Sequence, residues 1–115
     1  MEPLVNAADE LAFQLTACGM KYTREYLFHR PTGDEVQRRW RLDFAWPEAL
    51  VACEVDGAIW TGGRHARGSG ILGDCEKYSC AAGQGWRIVR VATQHVKSGE
   101  ALKWIEKALW WRVER

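Results

Sequence analysis

Long apolar runs are missing from this chain: no stretch approaches eighteen apolar residues, which excludes a membrane-spanning helix, and no secretory signal pattern opens the sequence. A soluble protein of the cytoplasm is therefore expected. The four cysteines, Cys18, Cys53, Cys75 and Cys80, show no CxxC spacing. With Cys53 and Cys75 placed on apolar faces, reduced core thiols are expected rather than zinc ligands. The GxxxxGK[ST] pattern of a phosphate-cradling loop is absent. His29, His65 and His95 do not supply the two histidines and asparagine of an HNH finger. Repeats, linkers and low-complexity segments are lacking too, so residues 1–115 are read as one domain with one modest core. Charge of one sign is also lacking, since the net charge is only +1. Nucleic-acid binding would then need local clustering, and Arg24, Arg30, Arg38, Arg39, Arg41, Arg64 and Arg67 do gather mid-chain.

What is abundant is apolar bulk, with seven tryptophans among the 115 residues. Residues 6 to 19 predict a helix capped by Asn6 and ended by Gly19, with Leu11, Phe13, Leu15 and Cys18 as its apolar stripe. Residues 23 to 30 predict a strand. Residues 71 to 83 predict a helix burying Ile71, Leu72, Cys75, Tyr78, Ser79 and Ala82, with Asp74, Glu76 and Lys77 off the centre of that face. WRIVRVAT at 86 to 93 predicts a fourth strand, and 98 to 112 an amphipathic helix with Leu102, Ile105 and Leu109 inward. Trp40, Trp46, Trp86 and Trp104 fall on apolar faces as core residues. Trp110 and Trp111 mark either a dimer surface or a frayed end.

The informative segment is RRWRLDFAWPEALVACEVDG, residues 38 to 57. Pro47 fixes its own φ and cannot donate to a ladder, so Pro47, Glu48, Ala49 and Leu50 form the turn between two strands. In the first strand Trp40, Leu42, Phe44 and Trp46 share a face, and in the second Val51, Cys53 and Val55 do. An even loop sets Phe44 against Cys53, Leu42 against Val55, Asp43 against Glu54 and Arg41 against Asp56. Opposed side chains lie roughly 5 Å apart at Cβ, where like charges are destabilising. Either one carboxyl holds a proton or a cation sits between them. Mg²⁺, which takes one or two carboxylates plus water and phosphate oxygens, suits the pair, as would an ordinary network with Arg41, Arg39 or Lys77.

Residues 57 to 70 include five glycines with Arg64, His65 and Arg67, a basic loop suited to gripping phosphates without reading bases. Trp60 in that loop can stack on an unpaired base or wedge into distorted duplex. His65 reads as a general base, as a phosphate contact or as an ordinary exposed loop residue.

The αβββαβα order, with RLDFAWPEALVACEVDG followed by GRHARGSGILGDCEKYSCAAGQGWRIVRV, resembles the PD-(D/E)xK nuclease superfamily. The resemblance runs over residues 10 to 95 and is to small phage-type endonucleases of the very-short-patch-repair-like branch with a VEVDG strand. It implies a restriction-endonuclease-like α/β core, a mixed four-stranded sheet flanked by helices. It also implies Mg²⁺- or Mn²⁺-dependent hydrolysis of DNA phosphodiester bonds, in the cytoplasm of a bacterium or a phage-infected host. Asp43 and Glu54 would be metal ligands, with the main-chain carbonyl of Val55 as a third, and Glu10 matches an acid that some members direct at the metal. The family pattern would put lysine where this chain has Asp56. Lys77 then supplies the missing cation, or Asp56 binds a second metal, or the site is degenerate. Arg41, Trp60, Arg64, His65 and Arg67 are assigned to DNA. Cutting both strands with so short a chain would take a homodimer, whereas nicking or structure-guided cleavage would not. Two other classes stand beside this one: a non-catalytic DNA-binding module, and a protein-interaction domain using the Trp-rich last helix.

Overall fold

A computed structural model describes residues 6–56 and 68–113. Helix α1 (Ala7–Ala17) starts where expected, the Asn6 side chain accepting the Asp9 amide at 2.8 Å. Strands β1 (Thr23–Leu27), β2 (Arg41–Trp46) and β3 (Val51–Asp56) follow, then α2 (Gly68–Gly83), β4 (Arg87–Ala92), α3 (Thr93–Ser98) and α4 (Glu100–Val113). The sheet order is β1-β2-β3-β4, with β3 and β4 parallel and the other pairs antiparallel. This is the expected mixed four-stranded α/β architecture. The short α3 was not anticipated: the His95 imidazole accepts the Ala92 amide at 2.9 Å to start it, and Gly99, at φ +88°, separates it from α4.

The β2–β3 connection behaves as its proline predicts. Pro47–Ala49 form one 3₁₀ turn, Leu50 takes a left-handed conformation, and the four-residue loop sets Phe44 opposite Cys53. Gly85 turns α2 into β4 at φ +90°, where a Cβ would stand 3.3 Å from a Leu50 methyl. Glycine meets both demands there without strain.

Two apolar layers flank the sheet. On one side Val51, Cys53, Phe44 and Trp46 pack against Leu11 and Leu15 of α1, Val96 of α3, and Ala101, Ile105 and Ala108 of α4. On the other, Leu42, Ala45, Ala52, Phe28 and Trp86 pack against Ala81 of α2. Leu42 and Phe44 therefore lie on opposite sides, which corrects the expectation of one continuous Trp40-to-Trp46 face. The alternation breaks at Asp43, opposite Glu25 of β1, whose φ of +52° turns that strand over. Arg24 then covers the Phe44 ring at 5.1 Å while Tyr26, two residues on, meets Trp86 across the sheet at 5.7 Å.

Several expected faces shift for the same kind of reason. Phe13 is 72% exposed and Cys18 exposed, because α1 buries Leu11 and Leu15, one turn apart. Trp104 is exposed against the His95 ring, since the inward stripe of α4 is Ala101, Ile105 and Ala108, with Leu102 and Leu109 at its edge. Trp46 and Trp86 are buried, and Trp40 is half-buried beside Phe28. No helix among the described residues is long and apolar enough to cross a membrane.

Ile105 is wholly buried, so Ile105→Ala should cost about 2–5 kcal/mol, whereas Phe13→Ala should stay within about 0.5 kcal/mol. Denaturant unfolding of the two variants measures both.

Candidate active site

Beyond the Phe44–Cys53 pair the β2–β3 ladder gives way to side chains. The Asp43 amide donates to Glu54 Oε2 at 2.7 Å, and the Val55 amide donates to Asp43 Oδ2 at 2.8 Å. Each carboxylate thus replaces a carbonyl of the opposite strand, which draws the two acids into one site. Glu54 is only 5% exposed and its other oxygen is also engaged. Lys77 Nζ lies 2.6 Å from Oε1, and the Tyr78 hydroxyl donates to the same oxygen at 2.7 Å. A buried carboxylate with three donors is what low polarity demands.

These contacts rotate α2 from its expected orientation. Tyr78 faces inward as expected, but Lys77 and Ala81 do so with it, while Ile71, Leu72, Cys75, Ser79 and Ala82 are exposed. The apolar stripe on α2 was misleading because the helix packs on a carboxylate, and its polar residues are needed there. Cys53, by contrast, is buried as expected; burial first, then the charges of Asp43 and Glu54, push its thiol well above the usual range, and all four cysteines are free.

Asp43 has a raised pKa. Burial is the main cause, joined by the charges of Glu54 and Glu25, while the Val55 amide and Lys77 pull it back. Among the described residues no cation forms an ion pair with Asp43, although Lys77 serves Glu54 and Arg90 serves Asp56. The Tyr78 phenol is pushed far up by burial and by its bond to Glu54, and so remains a donor.

The structure brings Asp43, Glu54 and Lys77 together, with the Val55 backbone against Asp43. Asp56 stands beside them on β3 but is taken by Arg90, whose Nε and Nη2 reach Oδ2 at 3.2 and 2.7 Å. Arg41 does not face Asp56: it pairs with Leu27 in β1 and approaches Glu25 at 3.9 Å, because the β2–β3 ladder has ended before it. Glu10 on α1 is not brought to the pair, and no cluster of three His, Cys, Asp or Glu suited to a metal occurs among the described residues. Trp60, Arg64, His65 and Arg67 lie outside the described residues. Glu25, Tyr78 and Arg90 were missed by sequence reasoning. A left-handed glutamate leaves no mark in sequence, whereas the i, i+2 alternation of Ile88 and Arg90 on β4, beside Ala52, Glu54 and Asp56, could have found Arg90.

Two carboxylates, one of them lacking an ion-pair partner among the described residues, are hard oxygen donors of the type that small divalent cations take. No family model matches this chain, and no curated protein matches it. Among solved structures it is similar to the catalytic domain of the homing endonuclease I-Bth0305I, at 16% identity and a TM-score of 0.63, over 93% of this chain and 95% of that one. The likeness establishes a shared fold.

A raised carboxyl pKa means that the folded chain holds the Asp43 proton more tightly than the unfolded one. Stability is then lost as pH rises from the unfolded value through the folded one. Metal-free Asp43→Asn should accordingly melt above wild type at pH 7, and the difference should close as the pH falls toward about 4. Thermal melts of both proteins in chelator, across pH, measure it.

Proposed function

We propose that the chain is a divalent-metal-dependent DNA endonuclease of the PD-(D/E)xK type, in the very-short-patch-repair-like branch, cutting phosphodiester bonds by nicking or at particular DNA structures. The observation that carries this reading is the Asp43–Glu54 pair, one acid buried and one raised in pKa, with Lys77 reaching into it from α2. A carboxyl raised in pKa beside a buried carboxylate that a lysine reaches is an arrangement met at sites kept for chemistry. The fold shared with a homing endonuclease catalytic domain supports the same reading.

Asp43 and Glu54 would hold Mg²⁺ or Mn²⁺, with the Val55 carbonyl as a third ligand. When bound, the metal would neutralise charge on the scissile phosphate and make a water more acidic. Lys77, which reaches the pair from α2, would orient the attacking water or contact a phosphate oxygen. Asp56, held by Arg90, takes a supporting role next to the pair rather than that of a second metal ligand. Arg41, half exposed at the same end of β2, together with Trp60, Arg64, His65 and Arg67, would follow the DNA backbone. Cleavage of both strands would use a homodimer, and the adjoining, half-exposed Trp110 and Trp111 rings offer it a surface.

One observation favours a second reading. Glu54 and Asp56 already have cations inside the protein, Lys77 and Arg90, as a DNA-binding module with a degenerate site would.

Nicking of supercoiled plasmid decides between them. Wild type should convert it to open circles with Mg²⁺ or Mn²⁺ and not with EDTA, and Asp43→Ala should lose at least about a hundredfold in rate. Salt-sensitive DNA retention without nicking under any metal would establish the binding module instead.

A further inference from the structure

Tyr78 stands apart from the residues assigned above. Its hydroxyl donates to the same Glu54 oxygen as Lys77, at 2.7 Å against 2.6 Å. Its ring is covered by the Arg90 guanidinium at 4.9 Å, and that guanidinium is held by Asp56. Lys77 and Tyr78 are thus consecutive residues of α2 serving one oxygen, but in different ways. Lysine is a flexible stem with a hydrated charge, whereas a tyrosine has two side-chain torsions and here a fixed stacking partner.

We propose that Tyr78 is the positioning residue of Glu54, holding its carboxylate in the metal-binding orientation while Lys77 is free to leave for the substrate. This rests on the nuclease reading of the same pair. The chain of contacts runs from Asp56 through Arg90 to the Tyr78 ring and on to Glu54, joining β3, β4 and α2. Asp56 therefore acts through Arg90 and Tyr78. Partners of this kind, one bond removed from a metal ligand, typically carry about ten- to a hundredfold in metal affinity.

The test is calorimetric titration of Mn²⁺ into metal-free protein, at a temperature where every variant is folded. Wild type should bind at a site that Asp43→Asn abolishes, and Tyr78→Phe, which keeps the ring and its stack, should raise Kd about tenfold or more. The same rise should appear in a Lys77→Met background, where only Tyr78 is left to hold Oε1. Arg90→Gln, whose lost hydrogen bonds go to Asp56 and not to Glu54, should raise Kd in the same direction by less, and answers the question if Tyr78→Phe does not fold. An unchanged Kd in these variants, with wild type binding normally, would overturn the positioning role and leave the nuclease reading standing. Wild type with no Mn²⁺ site sensitive to Asp43→Asn would overturn the nuclease reading and this role with it.

Discussion

The buried carboxylate of Glu54 is the constraint around which this end of the fold is arranged. An ionised carboxyl out of water is tolerated only with donors on its oxygens, and here they come from the Asp43 amide on β2 and from Lys77 and Tyr78 on α2. One side chain on β3 therefore fixes the end of the neighbouring strand and the rotation of the helix above it. Breaking a buried pair by removing one partner typically costs about 3–5 kcal/mol, because the other charge is left stranded. That magnitude exceeds what α2 gains from any single apolar contact, since Ala81 is its one fully buried apolar side chain among those described. The helix therefore turns Lys77 inward and leaves Ile71 and Leu72 in solvent.

The same constraint accounts for the irregularity of β1 and β2. Once the Asp43 amide has turned to Glu54 and the Val55 amide to Asp43, the regular ladder cannot continue, and Leu42 passes to the other side of the sheet. Glu25 takes up the corresponding reversal in β1 with a left-handed backbone, a conformation that costs a non-glycine residue about 1–2 kcal/mol. The reversal lets Arg24 lie on Phe44 and Tyr26 on Trp86, so both strand halves still bury an aromatic contact. It also leaves Glu25 near enough to add its charge to Asp43. Strain and like-charge crowding thus meet at one point, which is where backbone irregularity usually serves a site.

How much of this was legible depended on whether a residue's role was local. The Asn6 cap and the Pro47 turn are local, and the hairpin register as far as Phe44 and Cys53 followed from the turn, whereas Asp43 meets Glu54 beyond it through a main-chain amide and not as a ladder pair. The orientation of α2 was not local. Its apolar stripe pointed to Ile71, Leu72 and Cys75, and nothing within the helix tells that a carboxylate on β3 will claim Lys77 and Tyr78. Arg41 was misplaced for a related reason, since period-two alternation cannot foresee a ladder that ends early. Glu25 and Tyr78 escaped because the groups they meet are brought close only by folding, whereas Arg90 could have been found from the alternation of β4.

Charge counting around the pair indicates in what order such a site would be filled. Glu54 has Lys77 and Asp56 has Arg90, which leaves Asp43 with a backbone amide and two like charges nearby. A phosphate brought up alone would meet a site whose local balance, among these five groups, is one negative charge. A divalent cation at Asp43 would reverse that balance, lower the cost of the crowded carboxylates and weaken the hold of Glu54 on Lys77. On the nuclease reading Asp43 and Glu54 would hold that cation, its charge would offset the negative balance, and Lys77, drawn less strongly to Glu54, would be available to a phosphate. The Lys77–Glu54 ion pair would, on that reading, hold the lysine in reserve at the resting site.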